Sequence, residues 1–156
     1  DGWFTRGVEL EGPTGTGSVT VRYRAGRPDG EWEPGPSPPG DFSLYSRSLG
    51  TTLYADTSCG KRYHDAPLRV LANHLTMGFE GVQVRETNEL ELAERAALER
   101  LADGSLDGVP VTLGLVVVKK GPCVFDLVMM GPPSKREQAV EAFRAFRDGL
   151  VAEINP

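Results

Sequence analysis

The chain has 156 residues, of which 39% are hydrophobic and 25% are charged, a length and composition typical of one soluble globular domain. Its 19 glycines and 12 prolines favour many short strands joined by turns over a helical bundle. The net charge of -5 and the scattered basic residues argue against general nucleic-acid binding, so we expect no nucleic-acid partner.

The sequence contains no stretch long and apolar enough to predict a membrane span. Its longest apolar run, residues 109–118, is interrupted by Pro110, Thr112 and Gly114. Because the chain starts at Asp1 rather than at a methionine, we expect any export signal or lipid anchor to lie upstream of Asp1.

The two cysteines, Cys59 and Cys123, restrict the possible chemistry. They form no C-x-x-C pair and have no histidine cluster beside them, so neither a zinc site nor a thioredoxin-type redox pair is predicted. Two interpretations remain. One is a long-range disulfide, which would close a loop of about 65 residues and stabilise the fold by roughly 4 kcal/mol on chain-entropy grounds. The other is a pair of unbridged core residues in a reducing compartment.

The first part of the chain is predicted to consist of strands. The glycine-rich residues 12–17 separate two alternating segments, which indicates a hairpin with a loose loop. Residues 34–40 are rich in proline and should form an exposed connection, because proline cannot donate to a ladder. Strands are predicted over residues 3–10, 19–23, 42–45 and 51–56.

The second part is predicted to mix helices and strands. Residues 89–101 favour a helix by propensity, with a strand over residues 95–102 as the alternative. The residues that flank Lys120-Gly121-Pro122 give the strongest hairpin signal in the chain. Strands are predicted over residues 82–85, 109–119 and 123–130.

Two helices are predicted from apolar stripes. The first covers residues 67–77 and ends before Gly78. The second opens at residues 134–137, whose S-x-x-E spacing is typical of a capping box. Its predicted stripe comprises Ala139, Val140, Phe143, Phe146, Leu150 and Ile154.

Most motifs that carry chemistry are missing from the sequence. Residues 12–18 have the glycine spacing of a phosphate-binding loop but lack the lysine before Ser18, so a hairpin turn is predicted instead. There is no G-x-S-x-G nucleophile elbow and no H-E-x-x-H helix, and His64 and His74 are too far apart to share a metal without other ligands. We therefore predict no metal site and no cofactor.

One enzymatic hypothesis involves Cys59 as a nucleophile, activated by His64 and oriented by an acid such as Asp126. It needs a free thiol, which a disulfide with Cys123 would remove. Asp126 itself lies in the apolar segment 124–128, so it is predicted to be either a buried, hydrogen-bonded acid or a residue of an exposed edge.

The order of predicted elements resembles the PsbP-like fold, which is shared with the Ran-binding nuclear import factors. The similarity covers residues 53–154 and is carried by the hairpin entry at 107–110, the Cys-Val-Phe-Asp strand at 123–126 and the helix segment at 142–146. The chain is also similar to secreted or lipid-anchored proteins of high-GC bacteria in which a Ser-Cys-Gly strand end and a Gly-x-Cys-x-x-Asp strand recur together. That combination fits a Cys59–Cys123 bridge.

The resemblance implies an α+β domain, with an antiparallel sheet flanked by helices in an α/β/α sandwich and an N-terminal β-hairpin. We expect a single domain over residues 1–156, in which residues 1–40 form the hairpin and the Pro/Gly-rich connection and residues 41–156 form the sheet-and-helix core. Members of this fold mostly act as accessory or adaptor proteins, so the resemblance implies a non-enzymatic domain and transfers no catalytic residue.

These observations favour a non-catalytic, exported protein that binds or supports an assembly of the bacterial cell envelope, with an envelope protein as its partner. We expect it in the periplasm or at the outer membrane, with a lipid anchor. The alternatives are a small-ligand carrier that uses a cleft between sheet and helix, and a thiol-dependent or hydrolytic enzyme. Trp3, Trp32 and Tyr63 are candidate anchors for a partner, although aromatic residues of this kind also serve to cover a core.

Overall fold

The computed structural model describes residues 2–12, 15–36, 40–60, 63 and 65–156. Over these residues the chain forms a three-stranded sheet in the order β1-β2-β10 and a seven-stranded sheet in the order β3-β4-β5-β9-β8-β7-β6, and every pairing is antiparallel. The strands are β1 (Phe4–Gly12), β2 (Gly15–Arg24), β3 (Glu33–Pro34), β4 (Phe42–Ser46), β5 (Thr51–Cys59), β6 (Glu80–Leu92), β7 (Arg95–Leu106), β8 (Val109–Lys120), β9 (Cys123–Gly131) and β10 (Val151–Asn155).

Helices lie on both faces of the seven-stranded sheet. Helix α1 (Leu68–Leu75) packs against Leu98, Val117 and Val124 on one face. Helix α2 (Arg136–Asp148) packs on the other face, where it shares the larger core with the three-stranded sheet. The predicted α+β class, with an antiparallel sheet between helices, is confirmed.

The N-terminal hairpin is confirmed. β1 pairs with β2 from Phe4 opposite Tyr23 to Gly12 opposite Gly15, so Gly15 and Gly17 belong to a strand and not to a phosphate-binding loop. The apex residues 13–14 lie outside the described residues. Of the predicted exposed connection, Pro34 instead belongs to the short strand β3, which pairs with β4, and residues 37–39 also lie outside the described residues.

The helix favoured for residues 89–101 is wrong, and the strand alternative is correct. The segment is divided between β6 and β7, which turn at Ala93 and Glu94, both with positive φ as expected for a tight hairpin. β7 is paired along its length with β8 as well, and this pairing outweighs a modest helical propensity. The predicted short strand 82–85 is part of the much longer β6, whose register is shifted near its start.

The second predicted helix is correct up to residue 148 and wrong beyond it. Ala139, Phe143 and Phe146 are fully buried as predicted, but Leu150 and Ile154 are not on the helix. The chain leaves α2 at Gly149 and continues as β10, which pairs antiparallel with β2. Leu150 and Ile154 are apolar because they join the core from this last strand and its approach.

The predicted capping box also does not form. Ser134 lies within a short 3₁₀ turn, Pro133–Lys135, and the position before α2 makes no side-chain capping bond. Pro132 and Pro133 fix the backbone dihedrals that start this turn, so α2 begins two residues after Ser134.

The predicted disulfide between Cys59 and Cys123 is present, and neither cysteine is free. The two residues are directly opposite each other at the ends of β5 and β9, with their Cα atoms 4.0 Å apart. The bridge therefore connects two strands that already pair, and it closes a loop with a sequence separation of 64 residues.

We expect the double variant Cys59→Ser/Cys123→Ser to lose about 2–4 kcal/mol in free energy of unfolding, since the unfolded chain regains the entropy that the bridge removes. Urea unfolding with and without reductant measures this. The wild type should lose a similar amount on reduction, whereas the double variant should not respond to reductant. An unchanged midpoint in the double variant would show that the bridge contributes nothing to stability.

Gly114 provides a test of the packing between α2 and the sheet. A Cβ atom at this position would lie 2.8 Å from Cδ2 of the buried Phe143 ring, whereas one at Gly7 of β1 would meet nothing within 4 Å. We expect Gly114→Ala to lower the free energy of unfolding by about 1–3 kcal/mol through overpacking, and Gly7→Ala to leave it unchanged or raise it slightly. Equal urea midpoints for the two variants would contradict this packing.

Candidate functional site

A groove lies where the start of β1, the segment after β2, the strand β4 and the end of α2 meet. It has a volume of about 690 Å³, and we call it the N-terminal groove. Its walls are largely aromatic and aliphatic, and none of the described residues that line it is acidic. Its principal side chains are Trp3, Phe4, Arg24, Arg27, Phe42, Leu44 and Phe146.

Gly26 and Gly149 allow two backbone segments that line the groove to pack closely against each other. A Cβ atom on Gly26 would overlap the carbonyl oxygen of Ala145, and one on Gly149 would overlap the backbone of Gly26. This close approach lets the N–H of Gly26 donate to the carbonyl of Phe146 at 2.8 Å. The segment after β2 is thereby attached to the C-terminal end of α2.

Trp3 lies at one side of the groove, where two arginines of β2 stack on it. The guanidinium carbons of Arg22 and Arg24 are 3.9 and 4.8 Å from the centroid of the indole ring. Arg22 also pairs with Glu153 of β10 at 3.3 Å. Arg24 has no carboxylate partner among the described residues, so its charge remains available at the groove.

Arg27 contributes a second positive charge and also lines an adjoining cavity. Its Nη2 donates to the carbonyl oxygen of Trp32 at 2.9 Å, and it pairs with no carboxylate among the described residues. It also lines a neighbouring cavity of about 490 Å³ together with Trp32 and Tyr45. The two cavities share Arg27.

The three predicted aromatic anchors occupy different environments. Trp3 is half-buried at the N-terminal groove. Trp32 is only 6% exposed, belongs to the main core, and donates from Nε1 to the carbonyl oxygen of Asp29, so it has little surface to offer a partner. Tyr63 packs with α1 on the opposite face of the seven-stranded sheet. Trp3 and Trp32 therefore line two different cavities that share Arg27, and Tyr63 lies on the other face of the sheet.

The other groove residues were not identified from the sequence. Arg24 is the only one with a usable local signal, because it lies on the polar face of an alternating strand. Phe42 and Phe146 come from distant segments and look like ordinary core residues in the sequence, so only the tertiary fold brings them to Trp3.

The proposed cysteine site is not assembled in this structure. Cys59 is bonded to Cys123, so a Cys59 thiolate would exist only in a reduced form of the protein. Asp126 lies on the other face of β9 from Cys123, because the two are an odd number of residues apart on one strand. His64 lies outside the described residues.

Asp126 is half-buried in a central strand, directly opposite Asp56 of β5. Its carboxylate makes no hydrogen bond with the described residues, so the residue fits neither of the two environments predicted for it. Burial and, to a smaller extent, the charge of Asp56 raise the pKa of Asp126 to about 7. Burial and Asp126 also raise the pKa of Tyr54, which lies on the same face of the sheet.

This acidic pair makes stability dependent on pH. Because the pKa of Asp126 is higher in the folded than in the unfolded chain, ionisation opposes folding, and stability falls as the pH rises from about 4 through about 7. We expect Asp126→Asn to raise the free energy of unfolding at pH 8 by about 1–3 kcal/mol and to change it little near pH 4. Urea unfolding at both pH values measures this, with the exposed Asp29→Asn as control. A variant equally stable to wild type at pH 8 would contradict the assignment.

Neither a metal site nor a membrane-spanning helix is found among the described residues. No group of three or more His, Cys, Asp or Glu side chains there could hold a metal ion. None of the helices in that part of the chain is long and apolar enough to cross a membrane.

Comparison with known proteins identifies the fold. No known protein family's sequence profile matches the chain, and no curated protein sequence matches it. Among solved structures, it is similar to LpqN, which is involved in cell envelope biogenesis of Mycobacterium tuberculosis, with a TM-score of 0.63 and 16% identity over 97% of this chain and 92% of LpqN.

Two other solved structures show the same architecture. Cyanobacterial PsbP from Synechocystis matches with a TM-score of 0.57 and 8% identity over 96% of this chain and 93% of that protein. A protein of unknown function from Pseudomonas aeruginosa matches with a TM-score of 0.53 and 13% identity over 94% and 96%. The predicted PsbP-like fold is confirmed, and at these identities the likeness establishes the fold alone.

Proposed function

We propose that this chain is a non-catalytic binding protein of the cell envelope, and that its N-terminal groove holds an apolar segment with acidic residues from an envelope protein. The observation that carries the proposal is the composition of the groove. Aromatic walls surround two arginines, Arg24 and Arg27, that pair with no carboxylate among the described residues, and the described lining has no acid.

The groove has the features expected of an interface hot spot. Trp and Arg are the residues most enriched where a few contacts dominate binding, and a concave apolar surface excludes water from those contacts. The positive charge is local, because the chain as a whole carries a net charge of -5. Complementarity therefore favours a partner segment that is negatively charged as well as apolar.

The compartment is inferred from the disulfide and from the structural neighbours. A bridge between Cys59 and Cys123 persists in an oxidising compartment, and the cytosol of most bacteria keeps thiols reduced. LpqN, which has the same fold, is involved in cell envelope biogenesis. Both points support export, to the periplasm or the outer membrane, and attachment by a lipid remains part of the proposal.

The proposal is tested by photo-crosslinking in the bacterium of origin, with the full-length gene product. A photoreactive phenylalanine analogue replaces Trp3 in one strain and the exposed Val84 of β6 in another. We expect a discrete crosslinked envelope protein from position 3 only, because position 84 lies on β6, at the edge of the seven-stranded sheet farthest from β3 and β4.

Charge reversal then tests the role of the two arginines. Arg24→Glu/Arg27→Glu should abolish the crosslink from position 3, whereas Arg69→Glu/Arg95→Glu, which reverses two exposed arginines outside the groove, should leave it intact. Matching urea midpoints would confirm that each double variant folds. Identical crosslinks from positions 3 and 84, or a protein found in the cytosol with both thiols reactive, would overturn the proposal.

A further inference from the structure

A second cavity, separate from the N-terminal groove, lies between α2 and the end of the seven-stranded sheet formed by β6 and β7. Its volume is about 460 Å³, within the range of small-molecule sites, and we call it the sheet-helix pocket. It shares no lining residue with the N-terminal groove. Leu101 and Val140 give it an apolar side, and polar groups surround the rest.

Two hydrogen-bond donors are buried at this pocket without an acceptor. Thr112 is 2% exposed, and its hydroxyl has no partner among the described residues. Nε of Arg144 is buried and likewise has no partner there. Both residues line the pocket. Buried donors are nearly always paired in folded proteins, so two unmet donors in one cavity call for an acceptor from a bound molecule.

The arginines of the pocket are held in place by ion pairs behind them. Arg85 bonds to Asp103 at 2.6 Å, and Arg136 pairs with the same carboxylate. Partial burial opposes ionisation of Asp103, but the two guanidinium groups outweigh it and lower its pKa. Arg144 is fixed by Glu86 at 3.2 Å and Glu99 at 3.6 Å. These ion pairs keep the guanidinium groups at the pocket before any ligand enters.

Carboxylates also line the pocket. Glu137 and Glu141 lie on the exposed side of α2, one turn apart, and neither is in an ion pair with a described residue. They complete a lining with equal numbers of arginine and glutamate side chains, which are Arg85, Arg136, Arg144, Glu86, Glu137 and Glu141. A lining with this charge balance favours a ligand that carries one charge of each sign.

We propose that the sheet-helix pocket binds a small zwitterion with an aliphatic body, such as an amino acid or short peptide. Its carboxylate accepts hydrogen bonds from the Thr112 hydroxyl and Arg144 Nε, both of which turn toward the cavity when the ligand enters, because neither atom is exposed to solvent without it. Its ammonium group lies against Glu137 and Glu141. The aliphatic part packs on Leu101 and Val140. The site is independent of the N-terminal groove and adds a ligand to a protein whose main partner binds elsewhere.

Leucine, 4-methylpentanoate and isoamylamine form a matched set of probes, since the second lacks the ammonium group and the third lacks the carboxylate. Titrations followed by amide chemical shifts in the intact chain should show leucine binding, with shifts at the pocket residues and about tenfold weaker binding of the other two. A titration with dileucine distinguishes the two kinds of ligand. Tighter binding of dileucine than of leucine indicates that the natural ligand is a peptide, and weaker binding indicates that it is a free amino acid. No shifts with any of these compounds, or equal affinity for leucine and 4-methylpentanoate, would overturn the proposal.

Substitutions test whether leucine binds in the sheet-helix pocket. Thr112→Val keeps the shape of the side chain, removes an unpaired buried hydroxyl, and should weaken leucine binding about tenfold without unfolding the chain. Thr52→Val, on the other face of the same sheet, should not change it. Glu137→Gln/Glu141→Gln should bring the affinities for leucine and 4-methylpentanoate together. Wild-type affinity in Thr112→Val would refute the site.

The proposals for the N-terminal groove and for the sheet-helix pocket can be tested independently. Arg24→Glu/Arg27→Glu should leave leucine binding unchanged, because neither arginine lines the sheet-helix pocket. Loss of crosslinking together with intact leucine binding therefore affects only the groove, and the reverse pattern affects only the pocket.

Discussion

The two sheets are joined by the ring of Tyr23. Tyr23 lies near the end of β2, on the face of the strand that points into the core, and it is fully buried. Its ring contacts Phe4 at 5.7 Å, Phe42 at 5.3 Å and Phe125 at 5.0 Å between centroids. Its hydroxyl donates to Asp41 at 2.5 Å, and burial together with that carboxylate raises the tyrosine pKa, so the group stays a neutral donor. One side chain thus connects β1, β4 and β9 and satisfies its own polar atom.

The same aromatic cluster shapes the N-terminal groove. Phe4, Phe42 and Phe146 contact the cluster and also line the groove, and Phe42 and Phe146 are 6.4 Å apart between centroids. Side chains shared with a core cannot move far without disturbing it, so the groove is a preorganised surface. Binding of a partner at the groove therefore loses no free energy to the ordering of these three rings.

The sequence allowed the regular parts of the fold to be predicted where one local signal dominates. The hairpin on either side of Gly121 has apolar strands and a turn sequence that agree with each other, and α1 has a clear stripe. Local sequence patterns are misleading where tertiary strand pairing determines the secondary structure. Leu98 and Leu101 have helical spacing yet lie in β7, and Leu150 and Ile154 extend a helical stripe past Gly149 although β10 carries the chain back to β2.

The functional surfaces were less predictable, for a physical reason. Trp3 was identified because aromatic residues in loop-rich regions are candidate anchors, but the groove residues at positions 24, 42 and 146 come from separate elements. The sheet-helix pocket depends on which donors remain unpaired after folding, and Thr112 looks in the sequence like any threonine of a strand. Composition, charge and periodicity describe single segments, whereas a binding site is a property of their contacts.

The return of the last strand to the first hairpin has a kinetic consequence. β10 pairs with β2, and the ion pair between Arg22 and Glu153 spans 131 residues of sequence. Contacts of such long range form late in folding, because most of the chain must be ordered before they gain free energy. The three-stranded sheet can therefore close only after residues 151–155 are available.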